Sequence, residues 1–339
     1  MSLTELSVEA FEAENTPLID VRSPSEYRDS HLPGSINLPV LNDEHRHLVG
    51  TEYKQKGRFQ AIQLGYSLVN PLKSELLEKA KKLAYNKQVR LYCARGGMRS
   101  RFTAEFLSEN GLEVFVLKGG YKNFMRHVDT RIAAFKNLHV LSGFTGSGKT
   151  EILAYLKSKG EQVLELEDLA SHSGSAFGAL AYDEQPEIRE FHLRIYTALK
   201  PYNPKKILWV ENESFKIGKV CLPLSLWNTM QNAEGLEVEI PREVRIENIV
   251  EKYGSFEKEK LLESVSRIKK RLGNEVFSQI EKDILEDRYS LAVDALLNYY
   301  DKSYLHGRKQ RDCQNFVKIV FKHGRVNEIA EFLLKISSK

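Results

Sequence analysis

The chain contains little cysteine. Its 339 residues include three, Cys93, Cys221 and Cys313, which lie far apart and form no CxxC pair or Cys/His cluster at zinc-ligand spacing. We therefore expect neither a disulfide framework nor a structural zinc site, and we expect a reducing, cytoplasmic setting. No apolar run approaches the length that spans a bilayer, and the N-terminus has no basic segment followed by an apolar one. The sequence thus predicts neither export nor membrane insertion.

A strong charge of either sign is also lacking. The chain holds 50 Lys and Arg against 46 Asp and Glu, for a net charge of +4. A hydrophobic content of 42% with 28% charged residues is ordinary for a soluble globular protein and argues against a disordered one. The length suits two domains. The whole positive excess lies in residues 242–339, which hold 20 Lys and Arg against 16 Asp and Glu.

Basic residues form two clusters in this last part of the chain. The second cluster is close in sequence to three tyrosines, and basic groups beside aromatic rings suit a single-stranded nucleic-acid loop. The alternative is a solvated helix face, because acidic residues are interleaved throughout. The clusters are Lys269, Lys270, Arg271 and Arg308, Lys309, Arg311, and the tyrosines are Tyr299, Tyr300 and Tyr304.

Residues 91–100 have the profile of an activated thiol. Residues 89–92 predict a buried strand and residues 100–107 the helix after it, so Cys93 should lie at the turn between them. Gly96 and Gly97 allow positive φ angles, which would point successive backbone N–H groups inward as an anion-binding nest. A thiol at such a turn, near Arg95 and Arg99, is typical of a reactive cysteine. The alternative is a small buried residue that ends a core strand.

The surrounding residues 1–128 predict one α/β domain. Strands at 16–22, 35–39, 89–92 and 113–117 alternate with helices that begin near residues 23, 73 and 100, whereas residues 43–70 are hard to interpret. Such alternation predicts a parallel sheet, and ligands bind at the carboxyl ends of its strands. Cys93 lies at one of those ends.

Residues 129–240 predict a second α/β domain, which begins with a phosphate-binding loop. Residues 143–150 match G-x-x-x-x-G-K-[ST], with a strand at 138–141 before them and an amphipathic helix at 151–157 after them. The loop N–H groups would bind a diphosphate, Lys149 its terminal oxygens, and the Thr150 hydroxyl Mg²⁺. The loop residues that we expect to bind the diphosphate are Gly143, Gly146, Ser147, Gly148, Lys149 and Thr150.

A buried strand at 206–211 ends in acidic residues, as expected beside a phosphate-binding loop. Glu211 and Glu213 are therefore candidate metal ligands with Thr150, although aspartate is the usual residue there and the metal role stays open. Residues 241–339 predict a mainly helical region. Apolar residues at helical spacing predict two core-facing stripes: Ile246, Ile249, Val250 and Leu291, Ala292, Ala295, Leu296.

The N-terminal domain resembles the rhodanese family. The resemblance is carried by five segments in the order and spacing of that family: Asp20-Val21-Arg22, Glu26-Tyr27, residues 31–39, the Cys93 loop and residues 118–121. It implies that Cys93 is catalytic and carries sulfur or a heavier chalcogen in a persulfide-type intermediate. The Cys-x5-Arg spacing from Cys93 to Arg99 is also that of cysteine-dependent phosphatases. That spacing suits a phosphate-bearing substrate, because the nest and Arg99 could hold the phosphoryl oxygens while the thiolate attacks.

Both domains together are similar to the tRNA 2-selenouridine synthase family. The similarity lies in residues 93–100, 142–150, 167–178 and 210–214, and it weakens after about residue 240. Membership would imply replacement of sulfur by selenium at C2 of the wobble 2-thiouridine in tRNA. It would also imply selenophosphate as the selenium donor and an intermediate in which geranyl diphosphate alkylates that sulfur.

This resemblance implies a role for each loop. Cys93 and Arg99 would be catalytic, and Arg95, Gly96, Gly97 and Arg99 would bind selenophosphate. The phosphate-binding loop would stabilise departing pyrophosphate, with Mg²⁺ as a candidate cofactor. The six basic residues would contact the anticodon region of tRNA, and a selenophosphate-supplying protein is a candidate partner. The sequence gives no oligomeric state.

Two other functions stay open at this point. A rhodanese-type sulfurtransferase or cysteine phosphatase coupled to a nucleotide-dependent kinase-like domain would use the same two loops on small molecules. A non-catalytic, nucleotide-gated RNA-binding protein would not need Cys93, and the intact loop around Cys93 argues against that function.

Overall fold

The computed structural model describes residues 3–172, 184–310 and 316–337, apart from the side chains of residues 306–310 and 337. The chain divides into two compact units, Met1–Thr130 and Arg131–Lys339. Each unit contains a five-stranded parallel sheet, which confirms the predicted α/β fold class. In the described part of the chain, no helix has the length and apolar character needed to cross a bilayer.

The sheet of the first unit has the strand order β1-β5-β4-β2-β3. The central strand β4 is the one that leads into Cys93. The strands are β1 Leu3–Leu6, β2 Leu18–Asp20, β3 Ser35–Asn37, β4 Gln88–Tyr92 and β5 Glu113–Leu117. The helices are α1 Val8–Ala13, α2 Pro24–Asp29, α3 Asp43–Lys56, α4 Arg58–Val69, α5 Lys73–Leu83, α6 Met98–Glu109 and α7 Gly120–Ala133, with a 3-10 turn at Asn70–Leu72.

Local sequence explains most of these elements. Strand β4 is buried because Val89, Leu91 and Tyr92 are fully covered by the surrounding core. Helix α2 begins at a proline, whose missing N–H is not needed there, and the Glu26 carboxylate accepts from the Ser23 N–H at 3.3 Å. Residues 43–70, which we could not interpret from sequence, form α3 and α4. Helix α3 has no buried residue and therefore no apolar periodicity to recognise.

The sheet of the second unit has the strand order β12-β11-β6-β8-β7, and a two-stranded antiparallel hairpin, β9 and β10, accompanies it. The strands are β6 Leu138–Gly143, β7 Gln162–Leu164, β8 Leu208–Glu211, β9 Lys216–Ile217, β10 Val220–Cys221, β11 Glu234–Glu239 and β12 Phe316–Val320. The helices are α8 Lys149–Ser158, α9 Leu166–Leu169, α10 Ile188–Leu199, α11 Leu224–Gln231, α12 Arg242–Tyr253, α13 Lys258–Ser266, α14 Lys269–Leu272, α15 Asn274–Leu285, α16 Tyr289–Gln310 and α17 Val326–Ser337. Strand β6 is central, so the loop after it lies at the middle of the carboxyl edge of the sheet.

The region after residue 241 is mainly helical, but it also supplies the edge strand β12, which the sequence analysis missed. Helices α13, α15 and α16 contribute to one hydrophobic cluster. Ala292 and Leu296 belong to that cluster, which confirms part of the predicted core stripe on α16. The prediction is wrong for Leu291, which is 57% exposed.

Candidate functional site

The Cys93 loop joins the carboxyl end of β4 to the N-terminus of α6, as predicted. The thiol is buried, with the Cys93 residue 3% exposed. The Gly97 N–H donates to Cys93 Sγ at 3.3 Å, and Ser100 Oγ lies 3.2 Å from the same sulfur. These contacts hold the sulfur at the N-terminal end of α6, where the helix dipole favours a bound anion.

The conformation of this loop depends on the glycine pair at residues 119 and 120. Gly96 has φ +62°, and a Cβ added to it would lie 2.7 Å from the Gly119 nitrogen. The Tyr121 N–H donates to the Cys93 carbonyl at 2.8 Å, and the Lys122 N–H donates to the Ala94 carbonyl at 3.0 Å. This backbone packing gives a structural reason why residues 118–121 and the Cys93 loop belong to the same family pattern.

Other rhodanese-like residues form a buried polar network beneath the loop. Arg22 and Asp20 form an ion pair at 2.6 Å, with side chains 5% and 0% exposed. The Tyr92 hydroxyl donates to Asp20 Oδ2 at 2.7 Å and accepts from the Leu32 N–H at 3.1 Å. Burial, reinforced by the Asp20 charge, raises the pKa of Tyr92, which keeps its hydroxyl protonated. The Arg22 guanidinium also stacks on the Tyr121 ring, 4.2 Å from its centroid.

Arg99 is held by Glu26. Both terminal nitrogens of the guanidinium donate to the Glu26 carboxylate, at 2.5 and 3.1 Å. Burial opposes ionisation of Glu26, but the hydrogen bonds and charge of Arg99 outweigh it, so the pKa of this carboxyl lies below its ordinary value. A bidentate pair of this kind sets the plane of the guanidinium. Glu26 was named from sequence only as part of the rhodanese resemblance, and its pairing with Arg99 was not predicted because the two residues are 73 positions apart.

The four residues expected to hold selenophosphate occupy one short loop and the start of α6. Gly97 contacts the sulfur directly. Gly96 adopts the left-handed conformation that we predicted, whereas the prediction is wrong for Gly97, which has φ −99°. Arg95 is exposed on the loop, whereas Arg99 is half-buried against Glu26. The loop and the start of α6 therefore carry backbone N–H groups and two guanidinium groups within six residues of Cys93.

The phosphate-binding loop has the predicted strand-loop-helix context. All six of its predicted residues line one cavity of about 340 Å³. Gly148 has φ +77° immediately before α8, and the Lys149 amino group donates to the Gly143 carbonyl at 3.1 Å. The Ser147 hydroxyl is buried and has no hydrogen-bond partner among the residues that the structure describes. A buried polar atom without a partner is costly, so the loop fits an anion that would accept from it.

Three carboxylates meet beside this loop. Glu167, Glu211 and Glu213 offer oxygen atoms that all lie within 4.8 Å of one another. Burial, with the charge of Glu167 second, raises the pKa of Glu211 to about 8, and the same causes raise the pKa of Glu213. Thr150 lines the same cavity as Glu167 and Glu213. Hard oxygen ligands are the set that Mg²⁺ prefers, and a divalent cation would relieve the repulsion among the carboxylates.

Glu167 is thus a fourth candidate metal ligand, beside Thr150, Glu211 and Glu213, that we had not predicted. Its backbone N–H donates to Glu211 Oε1 at 2.6 Å, which joins the start of α9 to the end of β8. Glu167 comes shortly after strand β7, so its place at the carboxyl edge of the sheet could have identified it as a candidate ligand from sequence.

Helix α12 contacts the phosphate-binding loop from the C-terminal part of the chain. Arg245 is 6% exposed, and its Nε donates to the Thr145 carbonyl at 2.9 Å. The Arg245 guanidinium forms an ion pair with Asp301 of α16 at 2.6 Å. Asn248 donates to the Gly146 carbonyl at 2.9 Å. These residues, about a hundred positions from the loop, had no recognisable sequence pattern.

The tyrosines that we associated with the second basic cluster contact two different parts of the structure. Tyr300 and Tyr304 line the phosphate-loop cavity, and the Tyr304 hydroxyl lies 2.6 Å from the Ser142 hydroxyl. Asn212 donates to the same Ser142 oxygen at 2.8 Å. Tyr299 instead accepts from Arg271 at 3.2 Å. Two of the three rings therefore belong to the phosphate-loop cavity.

The first basic cluster forms the short helix α14, where Lys269, Lys270 and Arg271 are exposed. The Lys269 amino group lies 4.4 Å from the centroid of the Phe277 ring. In the second cluster, Arg308 and Lys309 belong to α16 but their side chains lie outside the described residues, as does all of Arg311. The similar segment at 167–178 is likewise described only as far as residue 172.

Comparisons with known proteins give the same division of the chain. A family model described as the tRNA 2-selenouridine synthase AAA domain matches residues 136–338, and a rhodanese-like domain model matches residues 3–127. A tRNA 2-selenouridine synthase from Nitrosomonas europaea is 40% identical over 70% of this chain and 64% of its own length. Proteins of the same name from Sulfurovum sp. and Shewanella sediminis are 35% and 32% identical, over 94% and 95% of this chain and equal shares of their own.

Proposed function

The chain belongs to the tRNA 2-selenouridine synthase family, and on this basis we propose that it replaces sulfur by selenium at C2 of the wobble 2-thiouridine in tRNA. The proposed route uses geranyl diphosphate to form an S-geranylated intermediate and selenophosphate to supply selenium. The observation that supports it best is the pairing of two anion-binding loops in one chain. One holds the buried thiol of Cys93, and the other holds the unpartnered hydroxyl of Ser147.

The phosphate-binding loop would serve the first step. The thiocarbonyl sulfur of 2-thiouridine attacks C1 of the geranyl group, the C–O bond breaks, and pyrophosphate leaves with the electron pair while the base loses its N3 proton. Lys149, Ser147 and the loop N–H groups would stabilise the charge on the departing pyrophosphate. Thr150, Glu167, Glu211 and Glu213 would hold Mg²⁺, which neutralises phosphate charge when bound.

The Cys93 loop would serve the second step. Selenophosphate would bind to the N–H groups of Gly96 and Gly97 and to Arg99, whose plane Glu26 sets. The Cys93 thiolate attacks phosphorus, the P–Se bond breaks, and selenide leaves. Selenide then attacks C2 of the modified base and displaces geranylthiolate, and water hydrolyses the phosphocysteine to phosphate and free thiol. This sequence of steps is redox-neutral and therefore needs no external reductant.

The sulfur becomes a good leaving group only after alkylation. Direct displacement from a thiocarbonyl would expel sulfide from a stabilised ring, whereas the S-geranyl group leaves as a thiolate. The phosphate-binding loop and the Cys93 loop would therefore act in a fixed order. This order explains why one chain carries a diphosphate-binding loop without any chemical need for a nucleotide.

The test is a reaction with three substrates. Purified protein is incubated with 2-thiouridine tRNA, geranyl diphosphate and selenophosphate, and the nucleosides are analysed by mass spectrometry. We expect Cys93→Ala to abolish selenation and retain geranylation, and Lys149→Ala to impair geranylation. Cys221→Ala and Lys159→Ala are the matched controls, since neither residue lines the phosphate-loop cavity: Cys221 belongs to β10, and Lys159 pairs with Glu331 just after α8.

Each outcome of this assay has a clear meaning. Absence of both geranylated and selenated nucleosides in the wild type would refute the proposal, and ATP turnover without RNA would favour a kinase-like function. If Cys93→Ala blocked geranylation as strongly as Lys149→Ala does, the division of steps between the two loops would be wrong.

A further inference from the structure

An apolar chamber adjoins the phosphate-loop cavity of the second unit. It has a volume of about 70 Å³ and lies among α12, α13, α15 and α16. Four residues line both spaces: Thr145, Ile249, Tyr253 and Tyr300. The wall between the two spaces is therefore shared, and a ligand whose diphosphate occupies the loop can extend along Ile249 and the two tyrosine rings.

The remaining wall of the chamber is hydrocarbon. Its side chains include Leu261, Ala292, Leu296 and Leu297, which are 4%, 2%, 5% and 0% exposed. Tyr289 also lines the chamber, and its hydroxyl donates to Asp287 at 3.0 Å. A nucleoside base and ribose would lose hydrogen bonds to water on entering such a space. An apolar chain would instead gain from its burial.

The chamber has the size of a short hydrocarbon segment. A volume of about 70 Å³ is several times the roughly 10–15 Å³ that one water-sized group needs, so the chamber can admit a short hydrocarbon segment. Five carbons make one isoprene unit, which is half of a geranyl group. The other half would lie on the shared wall between the chamber and the loop.

We propose that this chamber binds the distal isoprene unit of an isoprenoid diphosphate, with the diphosphate in the phosphate-binding loop and the proximal unit against Ile249, Tyr253 and Tyr300. The inference rests on the proposed function, which supplies geranyl diphosphate as the substrate of this site. It adds the residues that select a hydrocarbon tail over a nucleoside.

Calorimetric titration of the full chain tests the inference. The ligands are geranyl diphosphate, its five-carbon analogue dimethylallyl diphosphate, and inorganic pyrophosphate, each with Mg²⁺. We expect the wild type to bind geranyl diphosphate at least tenfold more tightly than dimethylallyl diphosphate, which is about 1.4 kcal/mol. Equal affinities for the two would overturn the proposal without the need for any variant.

Two variants fill the chamber and one serves as a control. Ala292→Phe fills it from the core side, and Val293→Phe does so at a partly exposed position that should tolerate the larger ring. Both should raise the Kd of geranyl diphosphate at least tenfold and change that of pyrophosphate less than twofold. Leu291→Phe, on the same helix at a 57% exposed position, should change neither.

The results separate this inference from the proposed function. If the chamber variants bind pyrophosphate and geranyl diphosphate as the wild type does, the tail lies elsewhere, while the tRNA assay can still support geranylation. If ATP, titrated as a fourth ligand, binds the wild type more tightly than geranyl diphosphate does and no geranylated tRNA forms, the proposed function itself fails.

Discussion

Gly96→Ala should disable the Cys93 loop while the rest of the chain stays folded. Gly96 has φ +62°, a region that costs an alanine about 1–2 kcal/mol. The new Cβ would also lie 2.7 Å from the Gly119 nitrogen, 3.0 Å from the Gly119 Cα and 3.1 Å from the Gly120 nitrogen. These are backbone atoms that cannot rotate away, and overpacking of this kind typically costs 1–3 kcal/mol. The two effects together predict a loss of about 2–5 kcal/mol in the folding free energy of the first unit.

A matched control separates the free-energy cost of the positive φ angle from the cost of the steric clash. Gly111 has φ +89°, but a Cβ added there would meet nothing within 4 Å. Gly111→Ala should therefore cost only the backbone part, about 1–2 kcal/mol. Urea denaturation of both variants measures the difference, since it reports the free energy of unfolding directly.

Activity gives the second measurement for the same pair of variants. Gly96→Ala should lose selenation, because relief of the clash must move either Cys93 or residues 118–121, yet geranylation by the second unit should persist. Gly111→Ala should retain both activities. The reasoning is refuted if Gly96→Ala matches Gly111→Ala in stability and also keeps wild-type selenation.

Three further predictions concern charged residues. Glu26→Gln should reduce selenation by releasing Arg99. Because folding lowers the pKa of the Glu26 carboxyl, its contribution to stability is present above the ordinary carboxyl pKa and should be lost as the pH falls through the folded pKa. Equal stability of wild type and variant at neutral pH would contradict this prediction. Asp301→Ala should leave the buried Arg245 guanidinium without its carboxylate and raise the Kd for pyrophosphate severalfold, which calorimetry would detect or fail to detect. Lys270→Ala should lower the salt dependence of tRNA binding by about 0.7–0.9 in the log–log slope if that lysine contacts a phosphate, and an unchanged slope would exclude the contact.

The two loops could be predicted because their chemistry depends on neighbouring residues. In the Cys93 loop, a buried strand, a cysteine and two glycines lie within residues 88–97, and the phosphate-binding loop is likewise one continuous stretch of sequence. The strand at 113–117 was predicted with the bounds that the structure has, since its four apolar residues at 114–117 lie between the charged residues Glu113 and Lys118. Secondary structure could not be predicted for elements whose burial gives no periodic pattern of apolar residues. Helix α3 has no buried residue, and β12 is a short edge strand within a helical region.

The fold class and the position of both anion-binding loops could thus be predicted from sequence, because a loop of this kind is specified by consecutive residues and their backbone conformations. Tertiary structure alone decided what surrounds each loop. Glu26 reaches Arg99 across 73 positions, Arg245 reaches Thr145 across 100, and Tyr304 reaches Ser142 across 162. The apolar chamber is likewise formed by four helices whose stripes are each ordinary core patterns. Contacts between distant segments depend on how whole helices and strands pack together, and no single segment of the sequence specifies that packing.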